Sequence, residues 1–264
     1  MIKIHQTALV APDARLGAGC EIGPWAIVSP GAVLGENCVV APRAVVGSGA
    51  RVGNGVKIGV GALVAVEPQD LKYDGSPTLL EVGDGCTIRE YATLSASTDP
   101  ERPTRIGPRC LVMAYGHVGH DCEIGANCVL SNGVQLAGFV ALGDGCNLGG
   151  LSAVAQNCTL GAGVFVGGLS KVDRDVPPYS KALGNPARWG GFNRVGAERA
   201  GLSPESSARF EGALRELYRR GRPVDEVLAE LAADPELAPY AAFRARRRMG
   251  LIGISRDQVS GIRD

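Results

Sequence analysis

Only three histidines occur in the chain, and two of them, His117 and His120, stand three residues apart in Ala114-Tyr115-Gly116-His117-Val118-Gly119-His120-Asp121. An imidazole titrates at about pH 6.5 in water, so a histidine projecting to solvent can take a proton from a hydroxyl near neutrality. A carboxylate or a backbone carbonyl can fix its tautomer, and Asp121 directly follows His120. His5 reads as a structural residue of the first turn. Two close histidines and this distant one do not make the three-histidine site of a metal-dependent hydratase.

These residues must be mounted on something, and the chain is strongly periodic. Stepping by six from Ile4 meets Val10, Leu16, Ile22 and so on to Val64. The series resumes in phase at Val82, Ile88 and Leu94, and again from Ile106 to Val172. All 26 hexads begin with Ile, Leu or Val, and 14 continue with Gly. Six is not a multiple of the helical 3.6, so this is no amphipathic helix. The fifth place of each hexad is small, and all eight cysteines fall there: Cys20, Cys38, Cys86, Cys110, Cys122, Cys128, Cys146 and Cys158. Disulfides, a zinc site or a nucleophile would not select one phase eight times. The cysteines are small buried hydrophobes, as in a reducing compartment. Each hexad is expected to be a short extended segment with the aliphatic and the small residue inward and the glycine bending the corner. Three hexads make an 18-residue coil of a triangular prism. Stacking nine or ten coils about 4.8 Å apart gives a rod of about 45 Å. His117 and His120 occupy neither inward slot and should project near a corner.

The array is broken at about 67–81 and 96–105, and insertions in solenoids gather on the functional face. It should end at Val176-Pro177-Pro178, where a paired strand cannot continue. Residues 1–180 therefore form the β unit and 181–264 a small helical unit. In the latter, Ser203-Pro204 starts a helix whose stripe is Phe210, Leu214, Leu217 and Tyr218, and Gly221 stops it. A second helix carries Val224, Val227, Leu228 and Leu231 and ends near Asp234-Pro235. A third runs from Pro239 to Met249, with Arg244, Arg246, Arg247 and Arg248 at its end. That run is either a solvated face complementing the helix dipole or a docking patch for an acidic partner.

Charges balance at 27 against 27, which gives no reason to expect nucleic-acid binding. The N-terminus lacks a signal-like apolar run, and no stretch approaches the length of a membrane span. A cytoplasmic protein is expected.

The segment His117-Val118-Gly119-His120-Asp121-Cys122-Glu123-Ile124-Gly125 resembles the active-site segment of the UDP-N-acetylglucosamine O-acyltransferases, which open lipid A biosynthesis. Gln69-Asp70-Leu71-Lys72-Tyr73-Asp74-Gly75-Ser76-Pro77-Thr78 is similar to that family's first loop. Leu136-Ala137-Gly138, Ala153-Val154-Ala155-Gln156, Asp175-Val176-Pro177-Pro178-Tyr179 and Gly184-Asn185-Pro186 correspond in order. The resemblance implies a left-handed parallel β-helix with a helical C-terminal domain. It implies transfer of a 3-hydroxyacyl group from acyl carrier protein to the sugar 3-hydroxyl, by homotrimers with sites between subunits, without metal or cofactor. Carried over, His120 is the base, with Asp121 beside it, and the Gly138 N–H stabilises the oxyanion. Asp70, Lys72, His117 and Gln156 bind the sugar and phosphate portion, Asn193 and Arg199 contact the nucleotide, and Gly168 limits acyl length.

The chain departs from the family pattern. Phe139 and Ala155 stand where the family has His, Ala96-Ser97-Thr98 where it has Arg-Gly-Thr, Val195 where it has Glu, and Ala200 where it often has Arg. These changes leave a 3-amino sugar nucleotide open as acceptor. Other readings are an acetyl-CoA-dependent hexapeptide acetyltransferase, the N-acyltransferase of the same pathway and a non-catalytic trimeric scaffold. The N-acyltransferases carry an extra N-terminal domain, for which hexads starting at Ile4 leave no space.

Overall fold

A computed structural model describes residues 1–218 and 222–254. The hexads form a left-handed parallel β-helix of about ten turns. The aliphatic residue that opens each hexad is the second residue of a strand at its start, or lies within or ends a slightly longer one. Strands three hexads apart pair in parallel, Lys3-Ile4 on Glu21-Ile22 and Leu9-Val10 on Ile27-Val28. The result is three sheets. Face A begins with Lys3–Ile4, face B with Leu9–Val10 and face C with Arg15–Leu16.

From Cys20 onward the inward columns are closed to solvent, with Val46, Leu94, Leu136 and Leu148 all at 0% exposure. Each buried aliphatic side chain contributes about 1.5–3 kcal/mol, which offsets the ordering of strands only two residues long. All eight cysteines are buried and unpaired, as their common phase predicts. Most donate their thiol proton to a carbonyl of the next coil, Cys122 to Ala137 at 3.2 Å and Cys20 to Gly35 at 3.1 Å.

The glycine in the second place does not serve the bend. The left-handed residue of most corners is the fourth in the hexad, as at Asn37 (φ 56), Asp121 (φ 58) and Phe139 (φ 60). The second-place glycine allows stacked coils to approach. A Cβ on Gly17 would sit 2.5 Å from the Gly35 carbonyl carbon, and one on Gly47 would sit 2.1 Å from the Ala65 oxygen.

The insertions are shorter than the broken phase implied. Strands resume at Leu80 and Thr104, so the loops span 67–79 and 96–103. Both leave from face B and rejoin face C, at one corner of the prism. The sheet also runs past Val176-Pro177-Pro178. Both prolines lie in a corner turn, where Val176 still bridges Leu160 and no ladder bond is lost. Ser180–Leu183 then pairs with Phe165-Val166, and Arg188–Phe192 returns antiparallel to it. The boundary expected at residue 180 therefore falls at the start of a strand.

Helix α1 (Arg194–Arg199) has no counterpart in the sequence reading. Helix α2 (Pro204–Tyr218) starts as its Ser-Pro pair predicts, with Ser203 Oγ accepting from Ser206 N at 3.1 Å. The stop expected at Gly221 lies outside the described residues. Helix α3 is Val224–Ala233 and α4 is Ala238–Arg246, so the third helix ends three residues earlier than expected. After α4 the chain docks on the prism. Buried Asp175 accepts from the Arg248 and Met249 amides at 3.1 and 2.7 Å. Burial raises the carboxyl pKa of Asp175. The arginine run is largely used internally. Arg246 pairs with Glu123 at 3.1 Å, Arg247 with Asp225 and Asp175, and Arg248 reaches Asn157 at 3.4 Å. Its arginines pin the tail to face C and to α3.

Candidate active site

The corner between faces B and C carries the insertions, and on later coils it carries the histidine segment. His117 lies on a face B strand, while His120 and Asp121 form the following turn. His120, Gly138 and Gln156 occupy the same place in successive coils, because the register there advances by 18 residues.

His120 is not exposed as expected. Its residue exposure is 8%, because three neighbours enclose it. Asp121 Oδ2 lies 2.7 Å from Nδ1. Phe139 meets the ring edge-on, with centroids 5.2 Å apart. Gly138 is the floor, since a Cβ there would lie 2.4 Å from Cε1 and 2.6 Å from Nε2. The question of carboxylate or backbone is thereby answered in favour of Asp121. An ionised carboxylate only accepts, so Nδ1 carries the hydrogen and Nε2 presents its lone pair. Asp70 of the first loop is the group facing Nε2, with its carboxylate 4.0 Å away, beyond hydrogen-bond reach. The backbone places Asp70, which accepts from the Lys72 amide at 2.9 Å. The Lys72 side chain is exposed at the loop surface.

His117 sits beside this group with Nδ1 2.7 Å from Thr93 Oγ1. Burial, and then the charge of His120, lower its pKa below the ordinary value. The Gly138 N–H has no acceptor among the described residues. A free amide under the reactive ring can hold a developing negative charge. Gln156 is exposed two coils further on. Within one chain, then, His120, Asp121, Gly138, Asp70 and His117 come together, with Lys72 and Gln156 at the rim.

The other expected residues lie elsewhere. Gly168 is on the corner between faces A and B. Asn193 and Arg199 line a cavity of about 980 Å³ between α1 and the corner joining faces C and A. Asn193 is also the N-cap of α1, accepting from Gly196 N at 3.1 Å while its amide donates to Gly163 O at 2.8 Å. This role was legible in its side-chain type and overlooked. Thr98 and Thr104, which contact Asp121, were missed as well; neither threonine carries a signal in isolation. Among the described residues no cluster of three or more His, Cys, Asp or Glu could hold a metal ion, and no helix is long and apolar enough to cross a membrane.

Residues 175–252 match the family model described as "Udp N-acetylglucosamine O-acyltransferase; Domain 2", and residues 103–138 match "Bacterial transferase hexapeptide (six repeats)". The chain is 44% identical to the acyl-[acyl-carrier-protein]--UDP-N-acetylglucosamine O-acyltransferase of Thiobacillus denitrificans, over 96% of this chain and 100% of that one. It is 41% identical to the protein of the same name from Janthinobacterium sp., over 94% and 95%. Among solved structures, the Francisella novicida UDP-N-acetylglucosamine acyltransferase superposes with a TM-score of 0.91 at 30% identity, covering 98% of this chain and 96% of the other. The Moraxella catarrhalis UDP-N-acetylglucosamine O-acyltransferase gives 0.88 at 33% identity, covering 94% and 99%.

Proposed function

This chain belongs to the UDP-N-acetylglucosamine O-acyltransferase family, and from that membership we propose that it transfers a 3-hydroxyacyl group from acyl carrier protein to the 3-position of UDP-N-acetylglucosamine, the opening step of lipid A biosynthesis. The observation that carries the mechanism is the pairing of an open Nε2 on His120 with the unoccupied N–H of Gly138 directly beneath the ring. The sugar hydroxyl gives its proton to Nε2 as its oxygen attacks the thioester carbonyl. Asp121 stabilises the imidazolium, and Gly138 N–H receives the oxyanion. Collapse breaks the carbon–sulfur bond, and the carrier thiolate recovers the proton from His120. Asp70, Lys72, His117 and Gln156 hold the sugar and phosphates. Gly168, without a side chain, leaves room for a long acyl chain.

Two features support a homotrimer. His120 and the nucleotide residues Asn193 and Arg199 stand on different corners of one prism, so a second copy completes the site. Face C is studded with Arg15, Arg51, Glu81, Arg105 and Glu123, whereas face B turns Leu9, Ile27, Val45 and Leu63 outward. The corner between faces A and B exposes Trp25, Tyr91, Tyr115, Leu151 and Leu169. Three copies meeting along that corner would set each B face against a neighbouring A face and bring His120 to the neighbour's cavity.

The test is acyl transfer by the purified protein, with 3-hydroxyacyl carrier proteins of several lengths and either UDP-N-acetylglucosamine or its 3-amino analogue. Mass spectrometry identifies the product. Transfer is expected and should fall at least about a hundredfold in His120→Ala. Wild-type protein inactive on both acceptors refutes the function, and near-normal activity in the variant refutes the base. Exclusive use of the amino sugar would trace to Phe139 and Ala155.

A further inference from the structure

We propose that the 96–103 insertion is a clamp for the Asp121 carboxylate and that Thr98 is a positioning residue acting on His120 through it; this rests on His120 being the base. The insertion does not project over the site. It folds back on the prism, with Ala96 N donating to Val66 O at 2.8 Å and Ser97 N to Leu79 O at 3.1 Å. Its far side is braced by Asp99, which accepts from the Glu101 amide at 2.9 Å and pairs with Arg102 at 3.5 Å.

So held, the insertion grips the Asp121 carboxylate, and the strand that follows it holds the Asp121 backbone. The Thr98 hydroxyl donates to Oδ2 at 2.8 Å, and its amide lies 3.1 Å from Oδ1 and 3.3 Å from Oδ2. Just past the insertion, Thr104 at the start of the next strand accepts from the Asp121 amide at 2.8 Å through Oγ1, fixing the backbone that presents the carboxylate. The Asp121 side chain is 7% exposed, and no lysine or arginine forms an ion pair with it among the described residues. A buried carboxylate needs several donated hydrogen bonds to hold one orientation. Thr98 supplies them to both carboxylate oxygens. The oxygen it grips, Oδ2, is the one that receives Nδ1–H, so the grip keeps the Nε2 lone pair pointed at the substrate. The sequence marked this insertion only as a break in phase. The structure gives the break a use.

The test is Thr98→Val, which keeps the volume and the amide but removes the hydroxyl, with Thr98→Ala as a second hydroxyl-less variant and Thr98→Ser as rescue. With the full-length protein, kcat should fall roughly ten- to a hundredfold, the rate equivalent of losing one hydrogen bond to a charged group. KM for either substrate should hold. The acid limb of the kcat/KM profile should move to higher pH, because a carboxylate stripped of a donor attracts the imidazole proton more strongly. Ser should restore both. Nitrogen-15 NMR of His120 gives a readout that does not need turnover: the Nδ1–H tautomer should dominate in wild type and lose dominance in Val and Ala. Wild-type kinetics and tautomer in Val and Ala would overturn the clamp, as would a Ser variant as impaired as Val. An inactive wild type that still shows the Thr98-dependent tautomer would refute the reaction while leaving the clamp intact.

Discussion

Replacing Gly138 by alanine tests whether the site is a wall with fixed clearances. The added Cβ would lie 2.4 Å from His120 Cε1 and 2.6 Å from Nε2. Ordinary contact between carbons begins near 3.4–4 Å, so the ring must retreat by about 1 Å. The retreat is obstructed by Phe139 on the ring's edge and by the 2.7 Å bond to Asp121. Gly138 has no positive φ, so alanine introduces no backbone strain and the effect is steric. A 1 Å misplacement of a reacting group costs about a hundredfold. The expectation is therefore a kcat about 10²-fold lower in the acyl-transfer assay, with KM for the sugar nucleotide little changed. The melting temperature should fall only modestly, since the rest of the coil keeps its pairing. Activity within threefold of wild type would show that the ring is not held against Gly138. Loss of folding would show that the prism, and not the base, is what the glycine protects.

The cysteines should be inert to a thiol reagent in the native protein at pH 8 and all eight should react after unfolding, since burial pushes the Cys38 thiol up to about 11 and Cys122 up to about 12; rapid labelling of the native protein would contradict the inward column. His117 should titrate below the ordinary imidazole value in an NMR pH series, because burial disfavours its charged form. Its folded pKa lies under its unfolded one. The stability it contributes is therefore present above about pH 6.5 and lost as pH falls through the folded value. His117→Asn should flatten that acid limb of stability, and a midpoint at or above 6.5 would refute the burial argument.

The prism was legible because its rule is local and repeated. A residue of one kind every six places has one geometric solution, and the cysteines, being small, reported the same phase as the alanines. The corner was legible for the same reason, as the insertions and His120 interrupt or decorate the array at one face junction. What the phase does not encode are relations between coils. The clearance over Gly138, the burial of His120 by Phe139 and the grip of Thr98 on Asp121 join residues 18 or more apart through distances set only when coils stack. The glycines show the distinction clearly. Their recurrence was visible, but their purpose was close approach to the coil above, and the left-handed turn fell two places later, on glycines and ordinary residues alike. The partners of the arginine run were not legible either: Arg246 meets Glu123, and Arg247 meets Asp175 and Asp225, all remote in sequence.

Hanging His120, Gly138 and Gln156 from the same place in consecutive coils makes the edge of the prism a graduated scale. Adjacent marks are separated by one strand spacing, about 4.8 Å, whatever side chain is fitted there. The scale cannot stretch, because each division is fixed by parallel pairing on three sides. A molecule lying along it is read by distance from the imidazole, one coil at a time. Exchanging the residue at one mark rewrites what is recognised at that distance and leaves the zero point where it was.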